Sequence, residues 1–402
     1  MCGRWAGRTQ DACDPGYGAA VHGLRDGVYY NTHGCSFRQL PQDLPWLAPF
    51  YSELELRFNS IPYVCWSADN WNTALAICAA YLALCFAGPP ALRALGLAPL
   101  KNKRVLAAWN LLLAAFSLVG FLRTMPHLLY YVLAHPGGVA QGFYASVCRP
   151  AETSFGQGAS GLWTMLFIFS KVPELVDTVF MVLAQKPVIF LHWYHHFTVL
   201  LYCWHSYMTR SSAGLYFIAM NYGVHALMYF YFALVELATT EAAKKSVKVW
   251  DIYVTALQIS QMVVGVVVCA AVFVFQAGEG GEAACDMTVT NYRAGFTMYA
   301  SYFVLFALFA LEKYVFPNAA RDREVARIKV LPADKLREEI AKRGGEAPAG
   351  ATREELVALR LAQTAAGRAG SGGGKRAASG GAGAGQVAAV APAPATKAGK
   401  AA

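Results

Sequence analysis

Three histidines stand within five residues in FLHWYHHFTVLLYCW, residues 190–204, inside an otherwise apolar run. An ionisable side chain in hydrocarbon is costly and usually faces a functional interior. An imidazole there can act as a general base near neutral pH, accept an acyl group as a nucleophile, or bind a metal. Offsets of three and four residues put His192, His195 and His196 on one helical face. Three other apolar segments carry similar stripes. KVPELVDTVF holds Lys171, Glu174, Asp177 and Thr178; NYGVHALMYFY holds Asn221, His225 and Tyr229; TALQISQ holds Thr255, Gln258 and Gln261. A single His or Gln in a span is often only interhelical hydrogen-bond glue, and the Thr255–Gln258–Gln261 stripe fits that reading as well as a functional one. Lys171 and Glu174 are also spaced as a neutralising intrahelical pair. Glue is a poor account of three imidazoles in five residues.

The HxxHH spacing resembles the ligand boxes of membrane di-iron desaturases and hydroxylases, which draw on several such boxes. Of the nine histidines here, His22 and His33 lie in the N-terminal lead, and His127 and His135 near the opposite membrane face. Five remain (His192, His195, His196, His205 and His225), too few for a two-iron site. Glu174 and Asp177 could complete a single mixed site for zinc or iron, so a metal-dependent oxidase or hydroxylase stays open as a second reading. If the imidazoles act directly, Asn221 and a neighbouring histidine can stabilise an oxyanion or enolate. Neither a Ser nor a Cys nucleophile elbow is present. Cys203 shares the face of His196 as a weakly supported thiol carrier.

The elements that must position these groups are membrane helices. The chain is 56% hydrophobic and 15% charged, against about a quarter charged in soluble domains. Seven segments can span about 30 Å of hydrocarbon: 71–91, 105–124, 161–184, 188–208, 214–237, 250–276 and 294–316. The fold class is therefore an all-α membrane protein, seven helices enclosing a polar chamber. Basic residues collect after the first, fifth and seventh spans, which places the N-terminus in the lumen and the C-terminus in the cytosol. At 1.5 Å per residue the polar stripes fall in the cytosolic half or near the midplane. Cys148 and Cys285 both lie in loops on the luminal side, where a disulfide can persist, and are expected to be bonded. The other thiols in apolar runs (Cys78, Cys85, Cys203, Cys269) read as inert core, and the absence of CxxC excludes zinc ribbons and thioredoxin-type motifs. No apolar stretch opens the chain, so the first span is expected to act as the insertion signal.

Four regions result. Residues 1–70 form a polar lead with a short interfacial helix near 45–57, and 71–317 the helical domain. Residues 318–364 are a basic segment in which 331–362 reads as two amphipathic helices joined by a Gly/Pro loop, either a solvated hairpin or a SAP-like module. Residues 365–402 are Ala/Gly/Lys-rich and expected to be disordered. Most of the net +9 lies beyond residue 317, so the helical domain is nearly neutral and nucleic acid is not an expected partner. A seven-span receptor or transporter is disfavoured by the cytosolic opening of the chamber and by the lack of an internal repeat.

The four motifs, in this order, resemble the fatty-acid elongase (ELO) family, over roughly residues 60–317: KxxExxDT at 171–178, HxxHH at 192–196, NxxxHxxMYxY from Asn221, and TxxQxxQ from Thr255. The resemblance implies decarboxylative condensation of malonyl-CoA with a long-chain acyl-CoA in the endoplasmic reticulum, with no cofactor. It makes His195 the acyl-accepting or catalytic imidazole, with His225 across the chamber and His192, His196 and Asn221 shaping the site. Asp177 would orient an imidazole or hold its proton, and Lys171 and the cytosolic basic loops would meet CoA phosphates. Glu174, Thr178, Tyr229, Gln258 and Gln261 would line the substrate, and the apolar interior would form an acyl tunnel. Implied partners are acyl-CoA, malonyl-CoA, the lipid bilayer, and the ketoacyl-CoA reductase, dehydratase and enoyl reductase of the cycle, with a homodimer allowed. Pro187 occupies the place, five residues before His192, of a glutamine common in polyunsaturated-specific relatives, which points to saturated or monounsaturated chains. Two departures stand out. The end KAGKAA lacks the family's dilysine signal, and YFAL replaces part of its tyrosine run, leaving Tyr229 and Tyr231.

Overall fold

The apolar runs form helices, all but one of them unbroken. The computed structural model describes residues 23–25, 28–30, 36–37, 39–100, 102–278, 285–342 and 345–373. They fall into two units, one reaching Phe306 and one starting at Ala307.

In the first unit the helices are α1 Ile61–Asp69, α2 Trp71–Ala94, α3 Lys103–Leu133, α4 Gly138–Cys148, α5 Gly158–Ser170, α6 Val176–Leu183, α7 Phe190–Met208, α8 Gly214–Leu237, α9 Glu241–Lys248, α10 Asp251–Gly278 and the larger part of α11 Val289–Ala310. Among the described residues, five helical stretches are long and apolar enough to cross a membrane: α2, α3, α8, α9 with α10, and Val289–Val315. The third expected span is not one helix. It is α5, a 3₁₀ turn at Pro173–Leu175, and α6. Pro173 has no N–H to donate to Phe169 and its ring crowds that carbonyl, and here the α-helix breaks into a 3₁₀ turn at that point. The fourth, α7, is 19 residues long and carries the three clustered imidazoles.

The lead also departs from an all-α reading. Three short strands, β1 Gly23–Arg25, β2 Val28–Tyr30 and β3 Ser36–Phe37, pair antiparallel in sequence order. The expected helix near 45–57 is instead a 3₁₀ turn at Pro45–Phe50 and one α turn at Glu53–Leu56, with Pro49 withholding an N–H donor inside the first.

Packing of α8 along α3 sets the frame of the site. Gly223 leaves a notch filled by the Phe121 ring, where an added Cβ would come within 2.9 Å, and Gly120 receives the Tyr222 ring in the same way. The Tyr222 hydroxyl then donates to the Trp163 carbonyl at 2.9 Å, tying in α5. Asn102 caps α3, its side chain accepting from the Arg104 and Val105 N–H groups. Cys148 and Cys285 are bonded, joining the end of α4 to the approach to α11. Next to the bond, the Asp286 N–H donates to the Cys148 carbonyl at 2.8 Å. Cys78, Cys85, Cys203 and Cys269 are free and buried.

The lead is fastened by Glu55. Its Oε1 accepts from Arg123 Nε and from Trp163 Nε1, both at 2.8 Å, and its Oε2 from the Ser52 N–H at 2.8 Å. Burial by itself would raise this carboxyl. The Arg123 guanidinium, the Ser52 N–H and the Trp163 indole outweigh burial and hold it below the usual carboxylate range. A carboxyl depressed on folding stabilises the fold above its unfolded value, about 4.3, and that contribution is lost as pH falls through the folded value. Glu55→Gln is thus expected to cost about 1–3 kcal/mol at neutral pH. Thermal unfolding of the two proteins should converge under acid, and a pH-independent gap would contradict this account.

The second unit holds α12 Ala319–Val330, α13 Ala333–Lys342 and α14 Arg353–Gly373. Ile328, Leu336, Ile340 and Leu356 form its core. Residues 331–362 hold two helices, α13 and the first part of α14, with α12 ahead of them, and α14 runs on to Gly373 into the stretch expected to be disordered. The remainder of that stretch, 374–402, lies outside the described residues. Arg360 is fully buried at the centre, its guanidinium donating to Glu324 at 2.9 Å, Glu339 at 3.1 Å and Thr364 at 2.6 Å.

Candidate active site

The break at Pro173 determines how the polar stripe of α5–α6 meets that of α8. Around it the backbone bonds run from residue i to i−3: Lys171 to Ile168, Val172 to Phe169 and Leu175 to Val172. Three residues of 3₁₀ helix rise about 6 Å, the same as four residues of α-helix. Steps of three on one side therefore match steps of four on the other. Lys171 Nζ donates to Asn221 Oδ1 at 3.2 Å, Glu174 Oε2 lies 3.9 Å from His225 Nδ1, and the Tyr229 hydroxyl donates to Asp177 Oδ2 at 2.8 Å. Three rungs result, each one turn beyond the last.

The first two rungs share a buried ion pair. Lys171 is 2% exposed and its ammonium donates to Glu174 Oε1 at 2.7 Å and Oε2 at 3.0 Å. It also sits 4.0 Å above the centre of the Phe167 ring. The Ser170 hydroxyl adds a bond to Glu174 Oε1 at 2.9 Å. An ammonium so enclosed is not presented to CoA phosphates, and the expectation for Lys171 is corrected accordingly. The 3₁₀ turn draws it inward, beside its own carboxylate.

Asp177 is also placed differently. Its Oδ1 accepts from the Trp109 indole at 2.7 Å and its Oδ2 from Tyr229, so it bridges α3, α6 and α8 instead of orienting an imidazole. The carboxylate that approaches an imidazole is Glu174, one turn earlier. Thr178 is fully buried and meets His192 Nε2 at 2.8 Å and the Tyr81 hydroxyl at 3.1 Å.

On α7 the rings of His192 and His196 lie 4.5 Å apart, one turn from each other. His195 points elsewhere. Its ring is 5.0 Å from that of Tyr302 on α11 and 5.4 Å from that of His196. His192 and His195 are half-buried, while His196, Asn221 and His225 are buried. Among the described residues no side-chain or backbone group hydrogen-bonds to the His195 imidazole. It is thus open to an incoming group.

The structure brings Lys171, Glu174, Asn221 and His225 into one contact group, with the Asp177–Tyr229 pair one turn beyond, and Thr178 next to Asp177 leads to His192, His196 and, through the His196 ring, His195. Among the described residues the α10 stripe meets other groups. Gln258 Nε2 meets Met228 Sδ at 3.2 Å, Thr255 bonds back to the Asp251 carbonyl at 3.0 Å, and Gln261 is buried. Met228 is about 100° around α8 from Tyr229, on the flank of the rungs. Among the described residues no three His, Cys, Asp or Glu side chains converge as metal ligands. Trp109, Tyr81 and Tyr302 belong to the site and were not singled out in the sequence. Trp109, beside the buried Asn110, is the one with a readable signal, a polar pair inside an apolar span.

Residues 66–322 match the family model described as "ELO: GNS1/SUR4 family". The chain belongs to this family. It is 38% identical over 264 residues to the putative fatty acid elongase 3 of Caenorhabditis elegans, covering 66% of this chain and 77% of that protein. It is 39% identical over 264 residues to very long chain fatty acid elongase 6 of Gallus gallus, covering 65% and 92%. With fatty acid elongase 1 of Trypanosoma brucei brucei the figure is 38% over 288 residues, covering 67% and 90%. The matched region of this ELO protein contains all of α2–α11, and so the whole residue cluster around His195.

Proposed function

We propose that this ELO protein is a condensing enzyme of fatty-acid elongation, a very-long-chain 3-oxoacyl-CoA synthase of the endoplasmic reticulum that crosses the membrane seven times. The observation that carries the reading is the His195 imidazole, which among the described residues has no hydrogen-bond partner and packs against the rings of His196 and Tyr302. The imidazole nitrogen attacks the acyl thioester carbonyl, the carbon–sulfur bond breaks, and CoA leaves as a thiolate that takes up a proton. Malonyl-CoA then loses carbon dioxide, and its methylene carbon attacks the acyl-imidazole, releasing His195 and giving 3-oxoacyl-CoA. His225 and Asn221 stabilise the oxyanions of both steps. Lys171 and Glu174 hold those two residues in register, and Thr178 fixes the ring of His192. Acyl chains are saturated or monounsaturated, from Pro187, with a polyunsaturated elongase of the same family as the alternative. No cofactor is required.

Membranes holding the chain, given labelled malonyl-CoA and an acyl-CoA panel without NADPH, are expected to accumulate labelled 3-oxoacyl-CoA, insensitive to chelators. No label with any saturated, monounsaturated or polyunsaturated chain sinks the reading. Label that chelators abolish moves it to a metal-dependent mechanism.

A further inference from the structure

We infer that Tyr302 is a positioning residue for His195. The inference rests on the condensation reading above and adds a residue outside the four motifs. Tyr302 lies on α11 and is 2% exposed. Its hydroxyl donates to the His195 carbonyl oxygen at 3.1 Å and lies 2.5 Å from Thr198 Oγ1, three residues further along α7. Its ring packs against the His195 imidazole, centroids 5.0 Å apart and tilted 44°, and against Tyr194 edge-on at 5.9 Å.

The need for such a residue follows from what His195 lacks. An active-site imidazole is commonly oriented by a hydrogen bond to its second nitrogen. Here no described residue supplies one, and the Glu174 carboxylate is turned to Lys171, Ser170 and His225. What remains to select the His195 rotamer is packing: the Tyr302 ring on one side, and His196 at 5.4 Å and 89° on the other. The hydroxyl acts on the backbone of the same residue, pinning that turn of α7 to α11. Ring and hydroxyl together fix both the origin and the direction of the imidazole. A misplacement of about 1 Å at a reacting group can cost about 100-fold in rate.

The neighbouring Tyr194–Ser301 bond, 3.0 Å, joins the same two helices without touching His195 and provides a control. Steady-state condensation is measured on the purified full chain in lipid. Tyr302→Phe keeps the ring and is expected to lower kcat about 10- to 100-fold, with KM for both substrates within about twofold. Thr198→Val is expected to lower kcat less, and the double variant to fall short of the product of the two effects. Ser301→Ala should stay within about twofold of wild type, with a similar change in thermal stability.

The inference is overturned by wild-type kcat in Tyr302→Phe, by a loss confined to KM, or by an equal loss in Ser301→Ala. An inactive wild-type protein overturns the proposed function and this inference with it. An active wild type with an unaffected Tyr302→Phe overturns only the inference.

Discussion

His195→Ala is expected to lower condensation by at least about 1,000-fold, because removal of a covalent nucleophile leaves only binding and oxyanion stabilisation. The same substitution should do little to the fold. The side chain is half-buried, and no hydrogen-bond partner is stranded by its loss. Its packing against Tyr302 and His196 is worth about 1–2 kcal/mol, so membrane insertion and thermal unfolding should stay near wild type. His192→Ala is a useful contrast, since it leaves the buried Thr178 hydroxyl with Tyr81 alone. That variant should lose stability as well as activity. Labelled acyl-CoA given to wild type without malonyl-CoA should leave label on His195, detected by peptide mapping. Full turnover by His195→Ala would move the chemistry to His225 or His192.

Much of this site is legible as spacing. Residues 221, 225 and 229 at steps of four follow from helical periodicity, as does the shared helix of residues 192, 195 and 196, although the His195 ring turns from the His192–His196 pair toward Tyr302. What spacing misjudges is the KxxExxDT stripe. A constant 100° per residue assumes an unbroken helix, whereas Pro173 inserts a 3₁₀ turn and changes which partner each side chain meets. For that reason Lys171 turns inward to Glu174 and Asn221, and Asp177 finds an indole and a phenol where an imidazole was expected. Trp109, Tyr81 and Tyr302 are harder still to read. A lone aromatic in an apolar span has no periodic signature, and its role depends on which helices become neighbours. The small sheet at β1–β3 and the extension of α14 to Gly373 were missed for a related reason, since composition reports average propensity and not local pairing.

The Lys171–Glu174 pair offers the clearest separation of folding from function. Its side chains are 2% and 6% exposed, so both charges depend on each other and on Asn221, Ser170 and Phe167. Lys171→Met leaves an uncompensated buried carboxylate beside His225 and is expected to cost about 3–5 kcal/mol, as is typical when one partner of a buried pair is removed. Glu174→Leu leaves a buried ammonium with only the Asn221 carbonyl and a ring face, and should be comparably destabilised. The double variant Lys171→Met/Glu174→Leu buries neither charge and is expected to regain most of the lost stability, because apolar replacement of a buried pair is often neutral. Activity should not return with it. The pair joins Asn221 and His225 to the 3₁₀ turn, and without it the two oxyanion donors lose their register by an amount that costs about 100-fold in rate. Thermal unfolding and condensation rates on the three variants decide the matter. Recovery of both quantities in the double variant would make the pair a folding device alone, and recovery of stability without activity assigns it to the arrangement of the site.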